Sequence, residues 1–313
     1  MQKPSRKVPL DTPLVEAFEQ WIADHVRDDT RRISQLDESA QEVERKRMPL
    51  TLARWRADAR RFRRWSDRGT HTVRDLVENF SSISPRSCSK AAWLLGMLDV
   101  KAIVPIWIQM WQRPDLYGKN LGSFAWVLGM IGGRRAQFCF LESAQRELQS
   151  ERPNIERLAD AVSGLRFARP SDSTPAHFAV LTSVLERRDL PDRLRGDAGD
   201  VIALHAPDDR RTIAFRRTVS VAMKCLDDPS AEVRFWSIFA LWSLKAKVAI
   251  PKLRHMAKYD KAMCPWMWPV NEEAKDALCF LETGKSLLPD AAERTGWPEN
   301  GSHPADCSCA KCS

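Results

Sequence analysis

Two stretches of this 313-residue sequence gather side chains of a kind that could bind or react. The first is the tail, which reads His303-x3-Cys307-x-Cys309-x2-Cys312. Three thiolates and one imidazole make a full tetrahedral set for zinc, and ligands so close in sequence need little ordering of the chain. Recognised zinc modules instead hold two ligand pairs across a longer loop, so a redox-active or simply unpaired thiol cluster competes with the metal reading. Zinc in this tail is the one cofactor the sequence raises, and elsewhere none is expected.

The second stretch runs from Arg45 to Arg68. It holds ten Lys or Arg, among them Arg54, Arg56, Arg60, Arg61, Arg63 and Arg64, against Asp58 and Asp67. That local excess equals the net charge of +8 of the whole chain, so the rest of the molecule is near neutral. Leu52, Trp55, Ala59, Phe62 and Trp65 recur at helical spacing within it and form one apolar, mostly aromatic stripe. Three readings follow. The stripe caps a helical array, its arginines solvated or paired with Asp28, Asp29, Asp37, Glu38, Glu42 and Glu44; or the arginine forks bind phosphate or carboxylate, as on a nucleic-acid backbone; or the helix lies on a membrane surface.

A weaker basic pattern sits further on. Arg210, Arg217 and Lys224 are seven apart, and Lys252, His255 and Lys258 three apart, so each set forms a stripe on one helix. Two such stripes side by side would bind an acidic partner, although charged helix faces usually serve solvation alone.

Catalytic signatures are missing: no G-x-S-x-G elbow, Walker loop, dinucleotide glycine fingerprint or H-E-x-x-H. The six histidines include His25, His71, His177 and His205, which stand near helix ends as surface or capping residues. The chain is therefore expected not to be an enzyme, and a small-molecule substrate is not expected. Hydrophobic residues at 43% with 29% charged exclude wholesale disorder. The basic N-terminus lacks an apolar signal core, and the longest apolar runs fall short of the ~20 residues a membrane helix needs. Together with scattered thiols such as Cys139, Cys225 and Cys264, these features predict a cytoplasmic protein.

The elements that would position these residues are helices in a repeat. Ala203-Leu204, Ala240-Leu241 and Ala277-Leu278 recur every 37 residues, and Ala92-Trp93-Leu94-Leu95-Gly96-Met97-Leu98 returns 33 residues on as Ala125-Trp126-Val127-Leu128-Gly129-Met130-Ile131. Helices are expected near 13–26, 33–47, 50–67, 71–80, 86–98, 101–112, 119–132, 134–149, 154–167, 174–187, 191–205, 209–226, 229–244, 248–258 and 270–283. Pro251 fits only a first helical turn.

The stretch Leu226-Asp227-Asp228-Pro229-Ser230-Ala231-Glu232-Val233-Arg234-Phe235-Trp236, continued by Ala240-Leu241 and Ala249-Ile250-Pro251-Lys252-Leu253, resembles HEAT repeats, particularly the HEAT-like repeats of phycobilin lyases. Within it Asp228 or Ser230 is placed to cap a helix, and Arg234 to pair with an Asp of a neighbouring repeat. The resemblance is good over 192–283, extends more loosely over 86–187, and is absent from the first 80 or so residues and from the tail. It implies an all-α fold, an α-solenoid of helical pairs whose inner helices bind a partner on a concave face. The expected organisation is a helical cap over 1–80, the solenoid over 81–283, and a disordered Cys-rich tail over 284–313.

Another protein is the expected partner, with the chain acting as a scaffold or adaptor, an assembly factor or an immunity-type inhibitor; nucleic acid comes next and a membrane surface after it. HEAT-like DNA alkyl-base glycosylases supply the enzymatic alternative, for which Trp107 and Trp111, or Trp266 and Trp268, could provide an aromatic surface.

Overall fold

The computed structural model describes residues 9, 11–35, 38–66, 71–78, 85–98, 100–113, 121–168, 173–206, 211–265 and 267–285. These residues form fourteen α-helices and, among the described residues, no β-strand. The all-α class expected from the sequence is therefore what the chain adopts. Two compact units divide it, Met1–Asp172 and Ser173–Ser313.

The first unit holds α1 (Leu14–Ile33), α2 (Glu38–Ser66), α3 (Val73–Glu78), α4 (Pro85–Met97), α5 (Val104–Gln112), α6 (Leu121–Ile131), α7 (Gly133–Gln149) and α8 (Ile155–Arg166). Leu14, Ala17, Phe18 and Trp21 fall on one side of α1 and are buried there, which fixes the face it turns inward. The sequence predicts a break between 33–47 and 50–67. The structure instead runs one helix from Glu38 to Ser66 with Pro49 inside it. A proline ring removes one ladder hydrogen bond, and here good helix formers flank it while Trp55, one and a half turns on, is anchored against α1.

Further along this unit, α4 packs on α6 and α6 on α8, while α7 lies against both α6 and α8. The repeated glycine of the Ala-Trp motif explains how close these helices come. A Cβ on Gly96 would stand 2.9 Å from a Val127 methyl, and one on Gly129 would stand 2.2 Å from the Gly164 carbonyl oxygen. The glycine thus recurs because each helix must approach the next without a side chain between them.

The second unit comprises α9 (Pro175–Glu186), α10 (Asp192–Leu204), α11 (Ile213–Cys225), α12 (Ala231–Ser243), α13 (Ile250–Tyr259) and α14 (Val270–Thr283). Here α10, α12 and α14 pack in succession, and α9 packs on α10 and α11, α11 on α12, and α13 on α14. The row α10–α12 again uses glycine: Gly196 and Gly199 leave room for Trp236.

Helix starts in this unit follow local chemistry. Thr174 and His177 form a capping box before Pro175, and the Thr212 hydroxyl accepts from the Phe215 amide at 3.1 Å. Pro251 occupies the first turn of α13, as expected. Ser230 stands at the N-cap of α12 without a side-chain cap bond; its amide donates to Asp228 Oδ1 at 3.0 Å, so Asp228 organises the turn. α14 ends at Gly284, whose φ of 78° is the left-handed cap that glycine supplies at no steric cost.

Candidate functional site

Arginines placed at the starts of alternate helices tie the helical pairs together. Arg195, in the first turn of α10, is 3% exposed at its side chain and meets Asp228, 2% exposed, at 2.5 Å. Its Nε also donates to the Leu185 carbonyl at 3.1 Å. Arg234, at the same point of α12, clamps Asp260 with two hydrogen bonds of 2.7 and 2.9 Å and donates to the Asp228 and Pro229 carbonyls. Arg234 does pair with an Asp, and that Asp is Asp260, the C-cap residue of α13. In the first unit Arg157 of α8 donates to Ser143 and to the Trp111 carbonyl. Sequence reading singled out Arg234 alone, although the spacing of Arg157, Arg195 and Arg234 at 38 and 39 residues carries the same signal.

Burial governs the titrating groups in both units. Around Asp228, desolvation would raise the carboxyl, but hydrogen bonds from Arg195 and the Ser230 amide, with the Arg195 charge, hold it below its ordinary value. Glu232 is raised by burial despite Arg193 at 3.0 Å. Fully buried Glu273 accepts from two indoles, Trp242 at 3.3 Å and Trp268 at 3.1 Å. Cys264 is buried and its thiol is pushed up to about 12, mainly by desolvation, which removes it as a nucleophile. Asp160, half-buried against Gly122, is raised to about 6 by burial and then by the charge of Glu156.

Helix α2 places the basic segment. Trp55 turns toward α1 and meets Trp21 edge to face at 4.9 Å, with His25 at 6.1 Å; Trp21 in turn stacks on Phe18 and touches Trp93 of α4. Ala59 is buried beside it. Trp55 and Ala59 of the aromatic stripe thus sit on the inward side of α2, Trp55 against α1; the side chains of Phe62 and Trp65 lie outside the described residues.

Several charges in and beside the segment pair locally: Lys46 with Glu42, Arg47 and Arg32 with Glu44, Arg32 with Asp29, and Arg63 with Glu19 at 2.6 Å. Arg54, Arg56, Arg60 and Arg64 are exposed and carry no ion pair among the described residues. The Arg61 side chain lies outside the described residues. Between α1 and α2 a groove of about 560 Å³ is floored by Ile33, Met48, Pro49 and Leu52, with Arg45 and Arg56 on its walls.

The second basic pattern is largely compensated. Arg217 and Lys224 converge on Glu186, at 3.4 and 3.8 Å, and Lys252 bonds Asp227. His255 packs on Tyr259 at 4.8 Å, and Lys258 stands over the same ring at 5.0 Å. Arg210 lies outside the described residues. Exposed aliphatic and aromatic groups share these helices and their ends: Ile213 at 79%, Val248 at 63% and Tyr259 at 58%.

The tail ligands His303, Cys307, Cys309 and Cys312 also lie outside the described residues, among which no cluster of His, Cys, Asp and Glu could hold a metal. Trp107 and Trp111 are fully buried and offer no stacking surface; Trp268 is half-buried, bonded to Glu273 and edge to face with Phe235; Trp266 lies outside the described residues. His177 caps the start of α9, and His205 is the C-cap residue of α10, buried there and bonded to Ser173 at 2.7 Å.

No helix among the described residues is long and apolar enough to cross a membrane. Fold and surface together define an all-α protein of paired helices with exposed, mixed apolar and basic faces. No protein-family model and no curated protein matches the chain.

Proposed function

We propose that this chain is a non-enzymatic protein-binding scaffold, a HEAT-like α-solenoid that engages a partner protein along α11 and α13. The observation that carries the reading is the set of exposed apolar side chains there: Ile213, Val248 and Tyr259 stand in solvent beside exposed Arg216, Arg254 and Lys258. Large apolar groups exposed among charges are the composition of a protein interface, where buried anchors are ringed by polar contacts. Local acids already answer Arg217, Lys224 and Lys252, so phosphate-driven binding at this face has less to draw on than apolar contact. An adaptor, an assembly factor and an immunity-type inhibitor all use such a surface.

The test pairs the native chain with an Ile213→Asp/Tyr259→Ala variant. Both are immobilised in parallel and offered the soluble proteins of the native host. Species held by the native chain are identified by mass spectrometry, made recombinantly, and titrated against both. Micromolar or tighter binding that falls at least tenfold in the variant supports the reading. Equal binding by both, or turnover of a nucleic-acid, acyl or phosphoryl substrate lost on one conservative substitution in this face, refutes it.

A further inference from the structure

We infer that the outward side of α2 is a docking face for an anionic membrane surface. At 100° per residue, Val43, Lys46, Arg47, Leu50, Arg54 and Arg64 fall within about 100° of the helix circumference, opposite the Leu52, Trp55 and Ala59 side that packs inward. No Asp or Glu between 43 and 64 falls in this sector. Val43 is 60% and Leu50 66% exposed, one heptad apart at its centre. Arg54 and Arg64 are exposed and carry no ion pair among the described residues, while Lys46 and Arg47 meet only neighbouring exposed or half-exposed glutamates.

The chemistry of this sector selects the occupant. A nucleic-acid backbone answers the arginines but gives nothing for two aliphatic side chains at the centre of the face. The interface of an anionic bilayer offers headgroup charge and acyl carbon in one plane, which suits a helix lying along it. Each basic residue near such a surface contributes about a fivefold gain in partition, and each inserted aliphatic on the order of tenfold. Four cations and two aliphatics then give an enhancement of about 6 × 10⁴, within tenfold of one acyl anchor at ~10⁴ M⁻¹, so attachment is reversible. The structure turns Trp55 away from this face, leaving Val43 and Leu50 as the inserting groups.

Co-sedimentation of the full chain with phosphatidylcholine vesicles, with and without phosphatidylserine, provides the test, with duplex DNA in parallel. Binding is expected to the phosphatidylserine vesicles alone and to weaken with salt. Arg54→Gln/Arg64→Gln should weaken it by about 25-fold and Leu50→Ser by about tenfold, with the helical circular dichroism unchanged. Equal affinity for both vesicle types, or none for either, overturns the inference. So does an unaltered affinity of the Leu50→Ser protein, and so does DNA binding that needs the arginines and ignores Leu50. None of these outcomes bears on Ile213 and Tyr259, so the scaffold reading is decided separately.

Discussion

Removing either partner of the Arg195–Asp228 pair should destabilise the second unit more than any exposed ion pair in the molecule. Both side chains are almost completely out of solvent, at 3% and 2% exposure. Removing Arg195 leaves the buried Asp228 charge without its counter-ion and costs about 3–5 kcal/mol, while removing Asp228 lies at the lower end of that range because Asp192 stays 3.6 Å from Arg195. Asp228→Ala also strips the Ser230 amide of its acceptor, adding about 1 kcal/mol, whereas Asp228→Asn keeps an acceptor oxygen and should cost less. The Arg195→Met/Asp228→Ala double variant removes both charges and should cost less than the two single variants added together. Urea unfolding followed by circular dichroism measures these costs, and hydrogen exchange in α10 and α12 assigns them to this unit. The Asp228 carboxyl is held below its ordinary range, so its contribution is complete above about pH 4 and is lost as pH falls through the depressed folded value. Single variants within about 1 kcal/mol of the native chain, or strictly additive costs in the double variant, would refute the view of this pair as the tie between helical pairs.

The glycine contacts make a second prediction. Gly129→Ala drives a methyl into the Gly164 carbonyl and should cost roughly 2–3 kcal/mol, while Gly133→Ala, with open space around it but a φ of 56°, should cost about 1; thermal melts of the two rank them. Asp160, with a carboxyl near 6 in the folded chain, lowers the stability of the first unit as pH rises from about 4 to 6; Asp160→Asn should remove about 1–2 kcal/mol of that dependence, allowing for partial exposure. Trp55→Ala should cost about 3 kcal/mol by emptying its contact with Trp21, and an unchanged melt would end the capping role of α2. Native Cys264 should resist iodoacetamide at mildly alkaline pH, whereas half-exposed Cys279 is alkylated; peptide mapping separates them.

Periodicity made the helices legible because it reports burial, and burial is what the repeat conserves along the chain: Ala240 and Ala277 are both fully buried, as their repeated positions require. Arg234 was readable as a tie because it stands in the stretch that resembles HEAT repeats. Arg195 and Arg157 could be found only by their spacing of 38 and 39 residues along the chain, because their partners, 33 residues ahead at Asp228 and 46 residues back at Trp111, lie beyond any local motif. Continuity of α2 was hidden by Pro49, because tertiary anchoring at Trp55 overrides a local breaker. Nor could spacing alone tell how far the basic stripes are neutralised, because Glu186 answers Arg217 and Lys224 from another helix.

Capping and docking are compatible roles for α2, since they use opposite sides of one helix. Arg56, Arg60 and Arg64 follow one another at i, i+4 spacing, and like charges so placed cost about 0.2–0.5 kcal/mol per pair. A helix that served stability alone would gain by alternating them with acids, as Glu42–Lys46 does earlier in the same helix. Exposed Val43 and Leu50 add nothing to the fold from where they stand. The exposed aliphatics fall on the outward side and the like-charge run reaches it at Arg64, while the inward side satisfies packing through Trp55 and Ala59. That division places the selective pressure for the basic segment outside the fold, in an anionic surface that the neutral remainder of the chain has no comparable means to hold.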